Sequence, residues 1–454
     1  PRPRGGAAAG GPGLAATSLD EADGPGGSGA PSRPARRVGV ALAAAGLTFA
    51  LAATLTPVHD LRGEAQQTPL TCLICGDQGG ADVVSNLLLF LPFAIGLRLS
   101  GRSWLRTVLA CALVSLTIEL LQLTVIPGRD ASLSDVLSNT ASGAIGAMIG
   151  RSLPEAVRPP PKMAARLLAG GIAGLLALLA VSAWMLAPRT PAGPLFSRWA
   201  HLAPGRDEFD GRVQAVILDG VPMPASGVPL DTAERRRRLD RGEMSLEAHV
   251  VSGRPLPDRR WIYTLRVPGA GVLTLTQTRR EAGIALPARA VGYRFRPAIV
   301  TLPDAFPAKA GVPVRLTAAE ARGRVRLTSS YGGIARSVEL GLSPAYGWSV
   351  LPAFEVASGT NVRWVTALGL LLAFLPLGYW AGRIGAPATS LGALAAALVL
   401  GLGALPAAGG FPPVHWSEWV AGVLGISAGW ALPRPEAYLS RRCASPSASE
   451  SSSS

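Results

Sequence analysis

Charged and aromatic residues are both scarce in this sequence. Of its 454 residues, 16% are charged and 6% are aromatic, whereas 48% are hydrophobic. A soluble domain usually has about a quarter of its residues charged, so this composition does not indicate a chain that is soluble throughout. The hydrophobic content also excludes an intrinsically disordered protein. The formal net charge is +14, but so few aromatic side chains are available for stacking on bases that we expect no nucleic-acid partner.

Histidine and cysteine are scarce as well, with four of each. The histidines are too scattered for a His-based metal site, and neither a Walker loop nor sequence support for a Ser-His-Asp triad is present. Cys72 and Cys75 form one CxxC motif without a following histidine or a second CxxC, which excludes c-type haem and a four-thiolate zinc site. We therefore predict no cofactor and no metal. Outside the cytoplasm the pair is expected to form a small disulfide, and a redox-active pair is the alternative.

Long hydrophobic runs are abundant. Eight of them come near the roughly 20 residues that a bilayer core requires, and the most polar is 133–150. They lie at 38–57, 83–99, 104–126, 133–150, 164–187, 364–382, 391–405 and 416–432. We predict an α-helical multi-pass membrane protein with about eight spans. Five helices belong to a domain at 34–187 and three to a C-terminal region at 362–433, while 1–33 and 434–454 are predicted to be disordered.

Arginine placement predicts the orientation of these spans. Basic residues fill every second connection: Arg33, Arg36 and Arg37; Arg98, Arg102 and Arg106; Arg151, Arg158, Lys162 and Arg166; Arg383; and Arg434, Arg441 and Arg442. The loop at 59–82 holds four acidic residues and one arginine. The positive-inside rule then places both termini in the cytoplasm of a bacterial inner membrane. A cleaved signal peptide ending near Ala52 is the alternative, and we favour retention because the apolar run continues to Leu55.

The segment 190–361 has a different composition, with short β-branched and aromatic runs separated by Gly and Pro. Predicted strands lie at 212–218, 245–251, 261–267, 271–277, 298–302, 312–317, 324–330 and 336–340. This pattern predicts an inserted, extracytoplasmic all-β sandwich. Four arginines at 235–238 have two interpretations. They form either a patch for anionic lipid or an anionic polymer or, as we favour, a short solvated helix capped by Asp231, paired through Glu234 and Arg238, and ended by Gly242.

Polar residues inside the predicted spans carry the most information. With alternating spans, seven of them fall toward the same, outer leaflet: Asp82, Asn86, Glu119, Gln122, Arg129, Asp135 and Asn139. Individually they have structural interpretations, such as a capping box of Ser132 with Asp135 or interhelical hydrogen bonds from the amides. Glu119 lies about 10 Å inside its span, where a lone charge is costly, so we expect it to be protonated, paired with Arg129 or bound to a ligand. Because all seven converge, we predict a ligand pocket.

Small residues spaced four apart predict close helix packing, at Ser138, Ser142, Gly146 and Gly150, and also at Gly425 and Gly429 and at Gly170 and Gly174. Two stretches near the C-terminus are similar to the first half. The sequence 372–378 (LAFLPLG) is similar to 88–94 (LLFLPFA), and Ser417-Glu418 is similar to Ser134-Asp135. These matches suggest a repeat that kept its packing residues and lost the polar ones.

The motifs 82–92 (DVVSNLLLFLP), 118–122 (IELLQ), Arg129 and 134–143 (SDVLSNTASG) occur in this order. Over roughly 38–152 the chain resembles the VanZ-like membrane proteins. The resemblance implies a role in the cell envelope and a link to glycopeptide (teicoplanin) resistance, without a defined reaction. The insert resembles a laminin-G or concanavalin-A-like domain at 245–250 (SLEAHV) and 346–351 (YGWSVL), which implies carbohydrate binding.

Three functions remain open from the sequence. The first is a pocket for an envelope lipid headgroup, a peptidoglycan precursor or a glycopeptide-like ligand, with an insert that recognises a glycan. The second is a membrane-embedded enzyme that uses Glu119 or Asp135 as general acid or base. The third is a transporter, which the repeated halves would favour. We favour the first, because the inner halves of the spans hold few polar groups and no catalytic motif is recognisable.

Overall fold

A computed structural model describes residues 33–56, 69–74, 78–126, 129–200, 208–351 and 361–432. The segments 1–32 and 433–454 lie outside these ranges, so the disorder predicted for the two ends stays a prediction. Besides the 3-10 helix Pro344–Val350, ten helices occur within the described residues: α1 Arg33–Leu55, α2 Gly79–Leu99, α3 Trp104–Thr124, α4 Leu133–Val157, α5 Pro161–Leu186, α6 Thr232–Asp240, α7 Arg289–Gly292, α8 Asn361–Ala381, α9 Pro387–Ala408 and α10 Trp416–Ala431.

Within the described ranges, six of these helices are long and apolar enough to cross a membrane, namely α1, α2, α3, α5, α8 and α9. The other two predicted spans, α4 and α10, are helical but do not meet this criterion of length and apolar composition. Helix α4 carries Ser and Asn side chains along its first turns, and α10 has 16 residues. The predicted eight helices therefore form, whereas length and composition support six of the eight as spans.

Small residues bring the membrane helices into close contact. A side chain at Gly46 of α1 would overlap the backbone of Phe93 in α2, and one at Gly146 of α4 would overlap Ala94. The same holds for Gly425 and Gly429 of α10 against α8, as predicted. The prediction was wrong for Gly170 and Gly174, which have no neighbour within 4 Å. Their helix, α5, uses Gly171 instead, which faces Leu377 and Trp380.

The insert consists of two six-stranded antiparallel sheets, ordered β4-β1-β6-β7-β8-β9 and β12-β11-β10-β5-β2-β3. The strands are β1 Phe196–Trp199, β2 Arg212–Leu218, β3 Val221–Pro222, β4 Ser226–Gly227, β5 Glu243–Val251, β6 Arg260–Val267, β7 Ala270–Thr278, β8 Glu281–Ala285, β9 Ile299–Leu302, β10 Pro313–Ala321, β11 Arg324–Tyr331 and β12 Ile334–Gly341. Both sheets contribute to one buried core. All eight predicted strands are present. The sequence missed β1, β3, β4 and β8, which do not alternate between apolar and polar side chains.

The arginine run at 235–238 lies in α6, so the interpretation as a short helix is confirmed, although its details differ. Arg235 is 3% exposed and donates to the carbonyls of Leu230 and Leu218 at 2.9 Å each, so the helix is not solvated on every face. Asp231 makes no side-chain capping bond. Glu234 pairs with Arg237, not Arg238, and this ion pair holds the pKa of the exposed Glu234 carboxyl below its usual value.

One end of the membrane helices touches the insert. The backbone N–H groups of Gly80 and Ala81, at the start of α2, donate to the carbonyl of Arg294 at 3.2 and 3.3 Å. A side chain at residue 80 would overlap the Tyr293 carbonyl, so this close approach requires glycine. The Arg294 guanidinium donates to the Ile74 carbonyl at 2.8 Å. We call this end, formed by the starts of α2 and α4 and the end of α3, the insert-facing end.

Candidate functional site

Glu119 lies on α3 near the insert-facing end and is 7% exposed. Its Oε2 atom accepts a hydrogen bond of 2.6 Å from the backbone N–H of Ser132, the residue before α4. Glu119 therefore fixes the position at which α4 starts. The predicted capping box of Ser132 with Asp135 is absent, because the Ser132 hydroxyl accepts instead from the N–H of Ser134 at 3.1 Å.

Two amide side chains form a buried layer with Glu119. Gln122 donates to the Thr54 carbonyl of α1 at 2.9 Å, and Asn139 donates to the Ser115 hydroxyl of α3 at 2.9 Å. These contacts bind the helices to each other, as the structural interpretation expects. However, the amide oxygens of both residues are buried without a hydrogen-bond partner in the described part of the chain. Buried acceptors without partners are costly, and a donor from water or a ligand would satisfy them.

A second layer lies closer to the insert. The Asn86 side chain hydrogen-bonds the Asp135 carboxylate, and the charges of Asp82, Asp135 and Arg129 lie within interacting range of one another. Asp82 is exposed, whereas Asn86 and Asp135 are half-buried. The structure therefore brings Asp82, Asn86 and Asp135 together at a surface that a ligand can reach. We call these three residues the acceptor site.

Arg129 does not pair with Glu119. Its Nε and Nη2 atoms donate to the carbonyls of Thr56 and Ala53 at 3.3 and 3.0 Å, at the end of α1. The last carbonyls of a helix have no partner within the helix and carry partial negative charge, which a guanidinium satisfies. Since Arg129 is held by α1, the acceptor site keeps an excess of negative charge and hydrogen-bond acceptors. No group of three His, Cys, Asp or Glu within the described ranges could hold a metal ion.

Several contributing residues escaped the sequence analysis. Ser115 is one helical turn before Glu119 on α3, and this spacing could have revealed it. The Ser85 hydroxyl, next to Asn86, is buried without a partner among the described residues. Tyr293 and Arg294 come from the insert, and no local pattern marks them. Their contribution depends on a contact between distant parts of the chain.

The loop that carries Cys72 lies beside the acceptor site. The carbonyl of Leu70 accepts a hydrogen bond of 3.1 Å from the N–H of Leu133, the first residue of α4. Cys72 is disulfide-bonded, while Cys75, its predicted partner, lies outside the described residues. Cys111 is a free, buried thiol. This loop thus connects the start of α4 to the insert through Ile74.

Residues 34–153 match the VanZ/LLP1 family model. This part of the chain is VanZ-like. It spans α1 to α4, about a quarter of the 454 residues, and contains all seven predicted pocket residues. The VanZ-like segment and the apolar helices identify a membrane protein with a β insert. No curated protein and no solved structure matches the chain, so the resemblance of the insert to laminin-G or concanavalin-A-like domains stays a prediction.

Proposed function

We propose that the VanZ-like segment binds the polar headgroup of an envelope lipid, or a glycopeptide-like ligand, at its insert-facing end. The observation that carries the proposal is the acceptor site, in which Asp82, Asn86 and Asp135 converge at an accessible helix end. Their excess of acceptors suits a ligand that presents hydrogen-bond donors. Hydroxyl, amide N–H and ammonium groups are such donors, and peptidoglycan precursors and glycolipids carry them.

The proposal includes a position in the cell. The protein crosses the inner membrane several times, with both termini in the cytoplasm and the insert outside, as the arginine distribution predicts. Contacts between the insert and the start of α2 support placing the acceptor site on the same side of the membrane as the insert, because both lie at the same end of the helices. A ligand in the outer leaflet or the adjoining envelope would then reach both.

We also propose that the insert recognises a glycan or another envelope polymer. A cavity of about 480 Å³ lies on the outer face of the sheet that contains β7, β8 and β9. Its floor is a cross-strand row of Thr276, Gly283 and Thr301, and Trp348 contributes to its wall. A side chain at position 283 would lie 2.7 Å from the Thr276 hydroxyl, so the glycine keeps the floor open. Hydroxyl groups beside an aromatic ring fit a sugar.

An acid/base role for Glu119 has less support. Its carboxylate accepts from the Ser132 backbone, which favours a role in positioning α4 over one in proton transfer. For Asp135, the half-buried carboxylate of the acceptor site, a binding role is sufficient to account for its hydrogen bond with Asn86.

The test is purification of the full chain from membranes, followed by mass spectrometry of the lipids and glycans that accompany it. We expect one class of envelope lipid or precursor to be enriched with the native protein and reduced about tenfold or more by Asp135→Asn or Asp82→Asn. The matched control is Glu155→Gln, which neutralises an exposed carboxylate at the opposite end of α4. A ligand profile that is identical in all four proteins would contradict the proposal.

A cellular measurement complements it. In a bacterial host that depends on this protein for growth in teicoplanin, Asp135→Asn should lower the inhibitory concentration at unchanged membrane levels, and Glu155→Gln should not. Equal sensitivity of the two variants would show that resistance does not depend on the acceptor site.

A further inference from the structure

A second cavity, of about 940 Å³, lies where α5 enters the insert. Its lining includes Trp184 of α5, Arg189 and Thr190 of the following segment, Arg236 of α6, and Arg289 and Tyr293 of the insert. The described lining holds three arginines and one carboxylate, Asp240, which already accepts from the N–H of Thr190 at 2.6 Å. The cavity is therefore electropositive.

The arginines have different roles in this cavity. Arg236 donates to the carbonyls of Thr190, Pro191 and Gly193 and thereby builds one wall. The Arg289 guanidinium lies over the Trp184 ring at 5.0 Å from its centroid. A stacked guanidinium keeps its N–H donors in the plane of the group, where they can bind two oxygens of a phosphate. Arg189 is exposed at the rim.

A buried polar group without a hydrogen-bond partner also indicates a ligand, and this observation does not depend on the charge of the cavity. Thr190 is 4% exposed, and its hydroxyl has no hydrogen-bond partner among the described residues although it lines the cavity. Buried hydroxyl groups without partners are rare in proteins. A phosphate oxygen would accept from it.

The surroundings of the cavity indicate the source of the phosphate. Trp184 lies in the last turn of α5, a predicted span that ends at Leu186, and its ring centroid is 5.1 Å from that of Tyr293. The two side chains are 42% and 53% exposed. Exposed Trp and Tyr at the end of a span are typical of the headgroup level of a bilayer. The cavity thus opens where lipid phosphates lie.

We propose that this cavity binds the phosphate of an anionic membrane phospholipid in the leaflet next to the insert, held by Arg189, Arg289 and the Thr190 hydroxyl. The site is separate from the acceptor site, but Tyr293 contacts Gly80, two residues before Asp82. A bound lipid would therefore lie beside the start of α2 and strengthen the junction between the insert and the membrane helices.

The experiment uses the full chain in detergent, mixed with equal amounts of phosphatidylglycerol and phosphatidylcholine, and counts retained lipids by native mass spectrometry. We expect preferential retention of phosphatidylglycerol, reduced about tenfold or more in the double variant Arg189→Gln/Arg289→Gln, since charge-assisted bonds to phosphate are lost. Arg336→Gln is the matched control, because it removes an exposed arginine of β12 that does not line the cavity.

Further variants keep the proposal falsifiable if the double variant folds poorly. Thr190→Val preserves the side-chain shape and should reduce retention several-fold without lowering the unfolding midpoint, since the hydroxyl has no partner in the described protein. Equal retention in native, double-variant and Thr190→Val proteins would overturn the proposal. So would displacement of the lipid by an equal concentration of soluble glycerol phosphate, which would assign the cavity to a soluble phosphate.

Discussion

Helices α2 and α4 pack against each other in the same way as α8 and α10. Phe90 and Phe374 occupy corresponding positions and are both fully buried, two residues before a proline within the helix. The Ser142 hydroxyl of α4 donates to the Leu87 carbonyl at 2.6 Å, and at the corresponding place Gly425 of α10 packs on the Leu371 carbonyl. All four helices start at the insert-facing side. The two pairs therefore form a parallel repeat, as two short sequence matches suggested.

The polar ends of the two pairs differ. Where the first pair has Asp82, Asn86, Asp135 and Asn139, the second has Thr366, Leu370, Glu418 and Gly422. Leu370 is buried in the apolar core of the second pair. The second pair thus retains one carboxylate and has lost the amides.

The retained polar groups of the second pair are occupied by the insert. Glu418 accepts from the Ser343 hydroxyl at 2.8 Å, and the Thr366 hydroxyl accepts from the Trp348 indole at 3.0 Å. Trp348 belongs to the 3-10 helix Pro344–Val350, and Ser343 is the residue before that helix. In the second pair, residues of the insert therefore cover the polar helix ends, whereas in the first pair Asp82 is exposed. The comparison supports a binding role for the first pair and an anchoring role for the second.

The strongest test of the repeat concerns its close packing. Ala94 of α2 packs against Gly146 of α4, and Gly378 takes the place of Ala94 in α8. A methyl group on Gly378 would overlap the Ile426 backbone, so Gly378→Ala should cost about 3 kcal/mol of unfolding free energy. Thermal unfolding in detergent measures the loss. Gly369→Ala on the same helix has open space and should have almost no effect; equal losses would refute the packing comparison.

Glu320 of β10 is a buried carboxylate that can be compared with Glu418. Its Oε2 atom has no hydrogen-bond partner in the described structure, whereas Oε2 of Glu418 accepts from Ser343. Burial raises the pKa of Glu320 from 4.5 to about 7. Because the folded protein holds the proton more tightly than the unfolded chain, stability falls as the pH rises from about 4.5 to about 7. Glu320→Gln should stabilise the insert by up to about 3 kcal/mol at pH 8 and by about 1 kcal/mol at pH 5. Unfolding curves at the two pH values measure this, and an equal gain at both would contradict it.

Glu418→Ala should weaken the contact between the second helix pair and the insert. The variant loses a buried hydrogen bond from Ser343 to a carboxylate, for which we expect a cost of about 2 kcal/mol and faster proteolysis near the 3-10 helix. Asp135→Ala at the corresponding position of the first pair should cost less than about 1 kcal/mol, since that carboxylate is half-buried. A larger cost for Asp135→Ala would mean that the first pair is also an anchor.

Glu119→Gln should have the smallest effect on stability, about 1 kcal/mol or less, because the amide oxygen can still accept from the Ser132 N–H. Teicoplanin sensitivity of cells with this variant distinguishes positioning from catalysis. Unchanged sensitivity at normal membrane levels would exclude acid/base chemistry at Glu119. A loss of resistance with an intact fold would restore the enzyme hypothesis.

Much of the architecture could be predicted from local patterns. Hydrophobic runs and strand alternation predicted the helices and the longer strands, because both depend on neighbouring residues. The polar motifs predicted the VanZ-like segment for the same reason. The short strand β8, Glu281–Ala285, was missed since Gly and Ala give it no alternation. The pairing of Glu119 was also missed, because its partner is a backbone N–H that any residue provides.

The sequence by itself determined which segments are apolar, where the strands alternate and which polar residues interrupt the helices. The tertiary structure alone decided how those residues are used. It directs Arg129 to the end of α1, joins Arg294 to the start of α2, and closes the second helix pair with Ser343 while leaving Asp82 of the first accessible. These outcomes depend on contacts between residues far apart in the chain, whose energies no local pattern encodes.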